Sequence, residues 1–321
     1  MFPPLFYRGD YEMKNEFFYP SADGRTQIHG IEWIPEGKVK GVLQMCHGMA
    51  EYIERYHDFA EFLCANGYYV VGHDHLGHGK SITGTDKLGF FHEKKGNEYV
   101  IVDIHSLRVL TEKKYPNLPY FILGHSMGSF LVRQYLGGYG AGLSGAIVMG
   151  TGDQPTPLLM AGKCLCRIMA LLHGWDYHSQ MVDGMAAGGY EKHFADETDG
   201  SNWLSRNVDN VRKYKNDPMC GYMFTVNAYY HMFSGMIRMN QQEKEGRISK
   251  SLPIFLVAGQ NDPVGNYGKS VESVFKKYKE CGMKDVMLKL YQNDRHEILN
   301  ELDREQVYQD IWKWMEDRVC S

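Results

Sequence analysis

The stretch Leu118–Leu136, LPYFILGHSMGSFLVRQYL, constrains this chain more than any other. Tyr120 to Leu123 is a short apolar run between Pro119 and Gly124, the pattern of a buried strand. Gly124-His125-Ser126-Met127-Gly128 is a G-x-S-x-G pentapeptide, and Phe130, Leu131, Val132 and Tyr135 then recur at the spacing of a helix lying on a sheet. Strand, sharp turn and helix together form the context of a nucleophile elbow. The two glycines suit it, because side chains two residues either side of a strained serine would meet neighbouring backbone. In such a turn Ser126 Oγ stands clear of the sheet and the Met127 N–H points into the same space. The pentapeptide alone is common by chance, so partner residues must carry the reading.

The surrounding pattern supplies the fold. Glu16–Tyr19 and Thr26–Ile34 flank Ala22-Asp23-Gly24, an opening hairpin. Val42–Cys46, Tyr68–Gly72, Tyr120–Leu123 and Gly145–Met149 read as buried strands alternating with helices. The long helix over Glu98–Tyr115 has Val102, Leu107, Val109 and Leu110 among its apolar positions. This alternation predicts βαβ units and a mostly parallel α/β sheet flanked by helices. It stops near residue 153 and resumes at Pro253–Ala258, followed by a helix over Val271–Tyr278, a strand over Val286–Tyr291 and a terminal helix over Glu305–Val319. The organisation expected is a sheet domain in two pieces, 1–152 and 251–321, with a helical cap inserted over 153–250. Half of the 18 methionines lie in that insertion, and Gly221–Met239 places Met223, Val226, Tyr230, Phe233 and Ile237 at helical spacing. A helical core explains any one of these methionines. The whole segment also suits an adaptable apolar wall around a ligand.

A serine nucleophile needs a base and a carboxylate to orient that base. Asp262 follows the strand Pro253–Ala258 and His296 follows the strand Val286–Tyr291, so Ser126, Asp262 and His296 all fall at carboxyl ends of strands in the order Ser…Asp…His. The two N–H donors for an oxyanion are expected from Met127 and from Met49, in the loop His47-Gly48-Met49. His73-x-His75-x-x-His78 invites a metal reading, but Gly77 stands where a ligating aspartate would be needed. The pattern instead reads as a structural loop in which Asp74 and His78 bond to nearby backbone. No metal and no cofactor is expected.

A net charge of −4, with no basic stripe, gives no reason to expect nucleic acid. Seven cysteines without framework spacing, Cys164-x-Cys166 included, point to a reducing compartment. The opening MFPPLFYRGDYEMKNEF lacks the charge and apolar order of a signal peptide, and no apolar run reads as a membrane span. A cytoplasmic protein is expected.

Several segments resemble the α/β-hydrolase family, in particular its monoacylglycerol lipase and lysophospholipase-like branch. His47-Gly48-Met49-Ala50-Glu51 with Arg55-Tyr56 is similar to H-G-x-x-E…R-Y, and Asp74–Ser81 to D-H-x-G-H-G-x-S. Gly124–Gly128 matches G-H-S-M-G, Gly259–Asp262 matches G-x-x-D, and Arg295–Glu301 matches R-H-E-x-x-N-E. Tyr52 departs from the pattern, since many relatives carry histidine there. The resemblance implies the triad Ser126, Asp262 and His296, and ester hydrolysis through an acyl-enzyme. The expected partner is a small-molecule acyl ester such as a monoacylglycerol or lysophospholipid, with a possible peripheral contact at a lipid surface. Two alternatives stay open. One is amide or peptide cleavage, because relatives are also classed as serine aminopeptidases and Asp176, Asp183 or Asp217 in the cap offer acids for an amine. The other is a non-catalytic ligand-binding protein on the same fold.

Overall fold

The computed structural model describes residues 14–82, 88–194 and 200–319. Residues 1–13, on which the signal-peptide reading largely rests, lie outside them. β1 (Lys14–Pro20) and β2 (Gln27–Trp33) form the expected antiparallel hairpin. β3 (Gly41–Cys46), β4 (Tyr68–His73), β5 (Tyr120–His125), β6 (Gly145–Met149), β7 (Ile254–Gly259) and β8 (Val286–Tyr291) follow, giving a sheet of order β1-β2-β4-β3-β5-β6-β7-β8. β2 joins β4 antiparallel, and every later pairing is parallel.

β3 to β7 are buried along their whole length, which explains their near-continuous apolar runs, because a parallel sheet is covered on both faces. Alternate residues serve the two layers. Val42, Cys46, Ile122, Val148 and Leu256 join one core, with residues from α2 (Gly96–Lys114), α3 (Met127–Tyr139) and α8 (Lys269–Glu280). Leu43, Met45, Phe121, Leu123 and Phe255 join the other, with α1 (His57–Ala65) and α9 (Arg304–Val319). On α2 the buried face is Val100, Ile104, Leu107 and Thr111. Val109 and Leu110, which the sequence groups with the apolar positions, turn outward because they fall off that helical stripe.

Between β6 and β7 the described residues hold helices and turns and no strand: α4 (Thr156–His173), α5 (Gln180–Ala187), α6 (Val208–Asn216) and α7 (Val226–Lys244). α4 packs on α7, and α7 on α3, so this segment joins the core of one sheet face through Leu159, Cys166, Phe224, Tyr229, Phe233 and Met236. The helix expected from Gly221 begins only at Val226. Thr225 ends the extended approach, and its Oγ accepts the N–H of Ala228 at 3.3 Å, while Gly221 has φ +67°, so Met223 sits in the preceding loop. Against the expectation that no apolar run reads as a membrane span, α4 is long and apolar enough by composition to cross one. Here it lies against α7 through Leu159, Gly162 and Cys166.

The sheet order also locates the site. From β3 the chain passes to β4 on one side and then returns to β5 on the other. The loops at the carboxyl ends of β3 and β5 therefore bound a crevice where the winding reverses, the place where open α/β sheets bind ligands.

Candidate active site

Ser126 occupies the turn between β5 and α3 with φ 54° and ψ −122°, a backbone region costly for a residue with a side chain. The neighbouring glycines make the turn possible. A Cβ on Gly124 would meet Gly128 O at 2.2 Å, and one on Gly128 would meet Cys46 O at 2.1 Å. The turn is held by Ser126 N–H donating to Met149 O (3.0 Å) and by Ser129 Oγ donating to Ser126 O (2.6 Å). Met127 starts α3, so its N–H belongs to the first helical turn, where amide hydrogens lack intrahelical acceptors and the helix dipole favours negative charge.

Across the crevice, the loop after β3 comes close to the serine: a Cβ on Gly48 would lie 3.0 Å from Ser126 Cβ. Gly48 N–H is fixed by Glu51 Oε1 at 2.6 Å, and Met49 follows on the cavity wall. Asp262, fully buried after β7, accepts the Val264 N–H through Oδ1 (2.8 Å), and its Oδ2 lies 3.0 Å from His296 Nδ1. No hydrogen bond joins Ser126 Oγ to the His296 ring among the described residues; both line a single cavity of about 130 Å³ together with Met49 and Met127. The five residues expected at a site are thus brought to one place. The rest of the wall is mostly apolar: Phe130, Leu158, Leu159, Met185, Met232, Phe233, Met236 and Val264. Three of the nine methionines of the helical segment, Met185, Met232 and Met236, face the cavity.

A buried charge network supports the floor. Arg55 Nη1 bonds Glu51 Oε2 at 2.6 Å, and its two terminal nitrogens grip both oxygens of Glu297 at 2.8 Å each. Burial works against both carboxylates. The His125 hydrogen bond and the Arg55 charge nevertheless hold Glu51 well below the usual carboxylate range, and Arg55 lowers Glu297. This network ties the loop after β3 to the loop carrying His296. Its residues lie inside the H-G-x-x-E…R-Y and R-H-E motifs, yet sequence assigns them no role. The signal was only that the charges recur beside the glycine and the histidine.

The segment before α6 grips the same histidine loop. Trp203 O accepts the His296 N–H (3.4 Å), Leu204 O accepts the Glu297 N–H (2.7 Å), and the Trp203 ring lies 5.0 Å from that of His296. Arg206 Nη2 reaches Asp294 (2.5 Å) and Asp303 (2.8 Å), while its N–H donates to Glu301 at 3.1 Å. No sequence pattern marked these contacts.

The histidine-rich loop after β4 is structural in form. Asp74 accepts the N–H groups of Ile53 and Lys80 (each 2.9 Å), His78 Nδ1 bonds Leu76 O (3.0 Å), and the His75 N–H donates to His47 Nε2 (2.9 Å). Burial, with His47 alongside, lowers His73 and His78 to about 3, so both rings are neutral. Among the described residues no cluster of histidine, cysteine or carboxylate can hold a metal. None of the three cap acids named for an amine, Asp176, Asp183 and Asp217, lines the cavity. Asp183 accepts the Tyr229 hydroxyl, and Asp217 accepts that of Tyr52 at 2.6 Å.

Residues 37–303 match the model of the family described as serine aminopeptidase, S33. A monoacylglycerol lipase of Mycolicibacterium smegmatis is 27% identical over 309 residues, covering 94% of this chain and 97% of that protein. A human monoglyceride lipase is 26% identical, covering 94% and 90%. Among solved structures, a thermostable carboxyl esterase from Bacillus coagulans in complex with glycerol superposes with TM-score 0.88 at 28% identity, over 95% of this chain and 99% of that one. A soluble variant of monoglyceride lipase from Saccharomyces cerevisiae, in complex with a substrate analogue, shares the fold at TM-score 0.76 and 19% identity, over 98% and 99%.

Proposed function

The chain belongs to the serine aminopeptidase S33 family, and from that premise we propose that it is a serine carboxylic-ester hydrolase acting on monoacylglycerol- or lysophospholipid-type esters. The observation that carries this reading is the strained Ser126 turn and the Asp262-bound His296 sharing one largely apolar cavity.

Ser126 Oγ attacks the ester carbonyl carbon while His296 Nε2 takes the hydroxyl proton. Asp262 accepts the Nδ1–H, which fixes the tautomer and stabilises the imidazolium. The tetrahedral oxyanion accepts from the Met49 and Met127 N–H groups. The C–O bond to the alcohol then breaks, His296 returns the proton to the departing oxygen, and an acyl-serine remains. Water, deprotonated by His296, attacks that acyl carbon, and collapse releases the fatty acid and restores Ser126. Residues 153–250 act as the cap, whose methionine-bearing wall holds the acyl chain away from water.

Esters are favoured over amines because the cavity carboxylates, Glu51 and Glu297, are spent on Arg55, and the cap acids lie elsewhere. A lipid surface is the natural source of such substrates. α4 presents Leu171 and Leu172, 87% and 68% exposed, as a peripheral contact with it. The six described cysteines stand free, in keeping with a reducing compartment such as the cytoplasm.

The test is hydrolysis of p-nitrophenyl esters from acetyl to palmitoyl, and of a monoacylglycerol against an aminoacyl amide, with wild type beside Ser126→Ala. Ester turnover with a medium- or long-chain optimum, lost in Ser126→Ala, is expected. Turnover of the amide alone would favour the aminopeptidase reading, and tight ligand binding without any turnover would favour a binding protein.

A further inference from the structure

His125 precedes Ser126 on β5 and has no part in the scheme above. Its ring is buried, 4% exposed, and its centroid lies 4.7 Å from that of His296. The hydrogen bonds around it fix its protonation. Nε2 lies 3.2 Å from the backbone carbonyl of His296, an atom that only accepts, so Nε2 carries a proton. Nδ1 lies 2.8 Å from the Tyr56 hydroxyl. That hydroxyl has one proton, and it is directed to Glu51 Oε1 at 2.8 Å, so the oxygen faces His125 as an acceptor. A neutral Nδ1 would take the tyrosine proton and leave the Tyr56 oxygen against a carboxylate oxygen with no hydrogen between them. Both ring nitrogens therefore donate.

We infer that His125 is a standing imidazolium, neutralised by Glu51, that acts as a positioning residue for His296. Its Nε2–H orients the backbone of the base, and its charge faces the adjacent ring across 4.7 Å between centroids. The inference rests on His296 being the general base. Burial alone would strip the proton from His125, but the Glu51 hydrogen bond and charge, with Glu297 behind them, raise it from its ordinary value. The charged and titratable groups facing it are Glu51, Tyr56 and Arg55 from the segment after β3, His296 and Glu297 from the loop after β8, and His47 nearby. Arg55 and His125 balance Glu51 and Glu297, with Asp262 on the far side of His296, so removing the His125 charge makes the pocket more negative by one.

Two measurements test this. In wild-type protein, the ring ¹⁵N resonances of His125, assigned by their loss in His125→Gln, are expected to show two protonated nitrogens at pH 8. An unprotonated Nδ1 there overturns the inference whatever the enzyme turns over. In ester hydrolysis, the acid limb of kcat/KM is expected to move to higher pH in His125→Gln by on the order of one unit, as loss of a cation at this distance requires. A merely structural role would lower kcat/KM at every pH and leave the limb in place, which would also overturn it. Failure of the catalytic reading shows separately, as ester turnover that survives Ser126→Ala.

Discussion

The carboxyl edge of the sheet and the helices inserted after β6 line one cavity but are built on opposite plans. Along β3, β5 and β7 every residue is buried, and the loops at their ends are fixed by backbone geometry: the left-handed Ser126, the Gly128 contact with Cys46, and the Val264 N–H on Asp262. The inserted helices expose Leu158, Met160, Ile168, Leu171 and Met181, and they offer the cavity methionine side chains that repack at little cost. The contrast teaches a division of labour. On the proposed reading, reacting groups sit on elements that cannot shift without breaking the core, and selectivity sits on elements that can. The segment from Trp203 to Arg206 crosses that division: it belongs to the insertion by sequence but is fastened to the histidine loop.

Five substitutions sharpen this comparison. The largest effect is expected on the sheet side, where Ser126→Ala should cut ester kcat/KM on the order of 10³-fold or more with an unchanged melting temperature. Next is Arg206→Leu at the exception. It loosens the loop carrying His296, and a base misplaced by about an ångström costs on the order of 10²-fold, so a fall in kcat of roughly ten- to a hundred-fold with little change in KM is expected. Unchanged kcat would return this segment to the adaptable cap. Met232→Ile and Met236→Ile should instead redistribute activity among acyl lengths, by a few-fold to tens-fold per two carbons, while total turnover on the best substrate holds. A uniform loss across all lengths would mean the cap wall is as rigid as the sheet edge.

The smallest effect lies away from the cavity, on α2. Asp103 is buried, where its carboxylate accepts from Ser21 Oγ and Ala22 N–H (each 2.7 Å), and burial raises it to about 7. A carboxyl raised in the folded state binds its proton more tightly there than in the unfolded chain. The stability it lends is full below pH 4 and is lost as pH rises through 7. Thermal melts from pH 5 to 8 should fall less steeply for Asp103→Asn than for wild type, with ester turnover equal in both. Parallel slopes would contradict the assignment.

The elements that sequence made legible are those fixed by local pattern. The hairpin at Ala22-Asp23-Gly24, the buried strands and the glycines of the Ser126 turn follow from periodicity and backbone sterics within a few residues. The meeting of Asp262 and His296 was legible because both follow strands of one sheet, at the same edge. What sequence hid depends on contacts between distant residues. Arg55 meets Glu297 across 242 positions, and His125 reaches the His296 carbonyl across 171. Neither pairing leaves a periodic trace, and both become apparent only when the crevice between β3 and β5 is closed. The start of α7 was misplaced because Met223 continues a helical spacing that the Thr225 cap ends.

The most direct test of the central claim is covalent labelling with a long-chain fluorophosphonate, which phosphonylates an activated serine and displaces fluoride, read by intact mass and peptide mapping. One adduct is expected, on Ser126, formed at a rate that follows the acid limb of ester hydrolysis and absent from Ser126→Ala. An adduct on another residue, or none in a protein that still hydrolyses esters, would contradict the assignment of Ser126 as nucleophile.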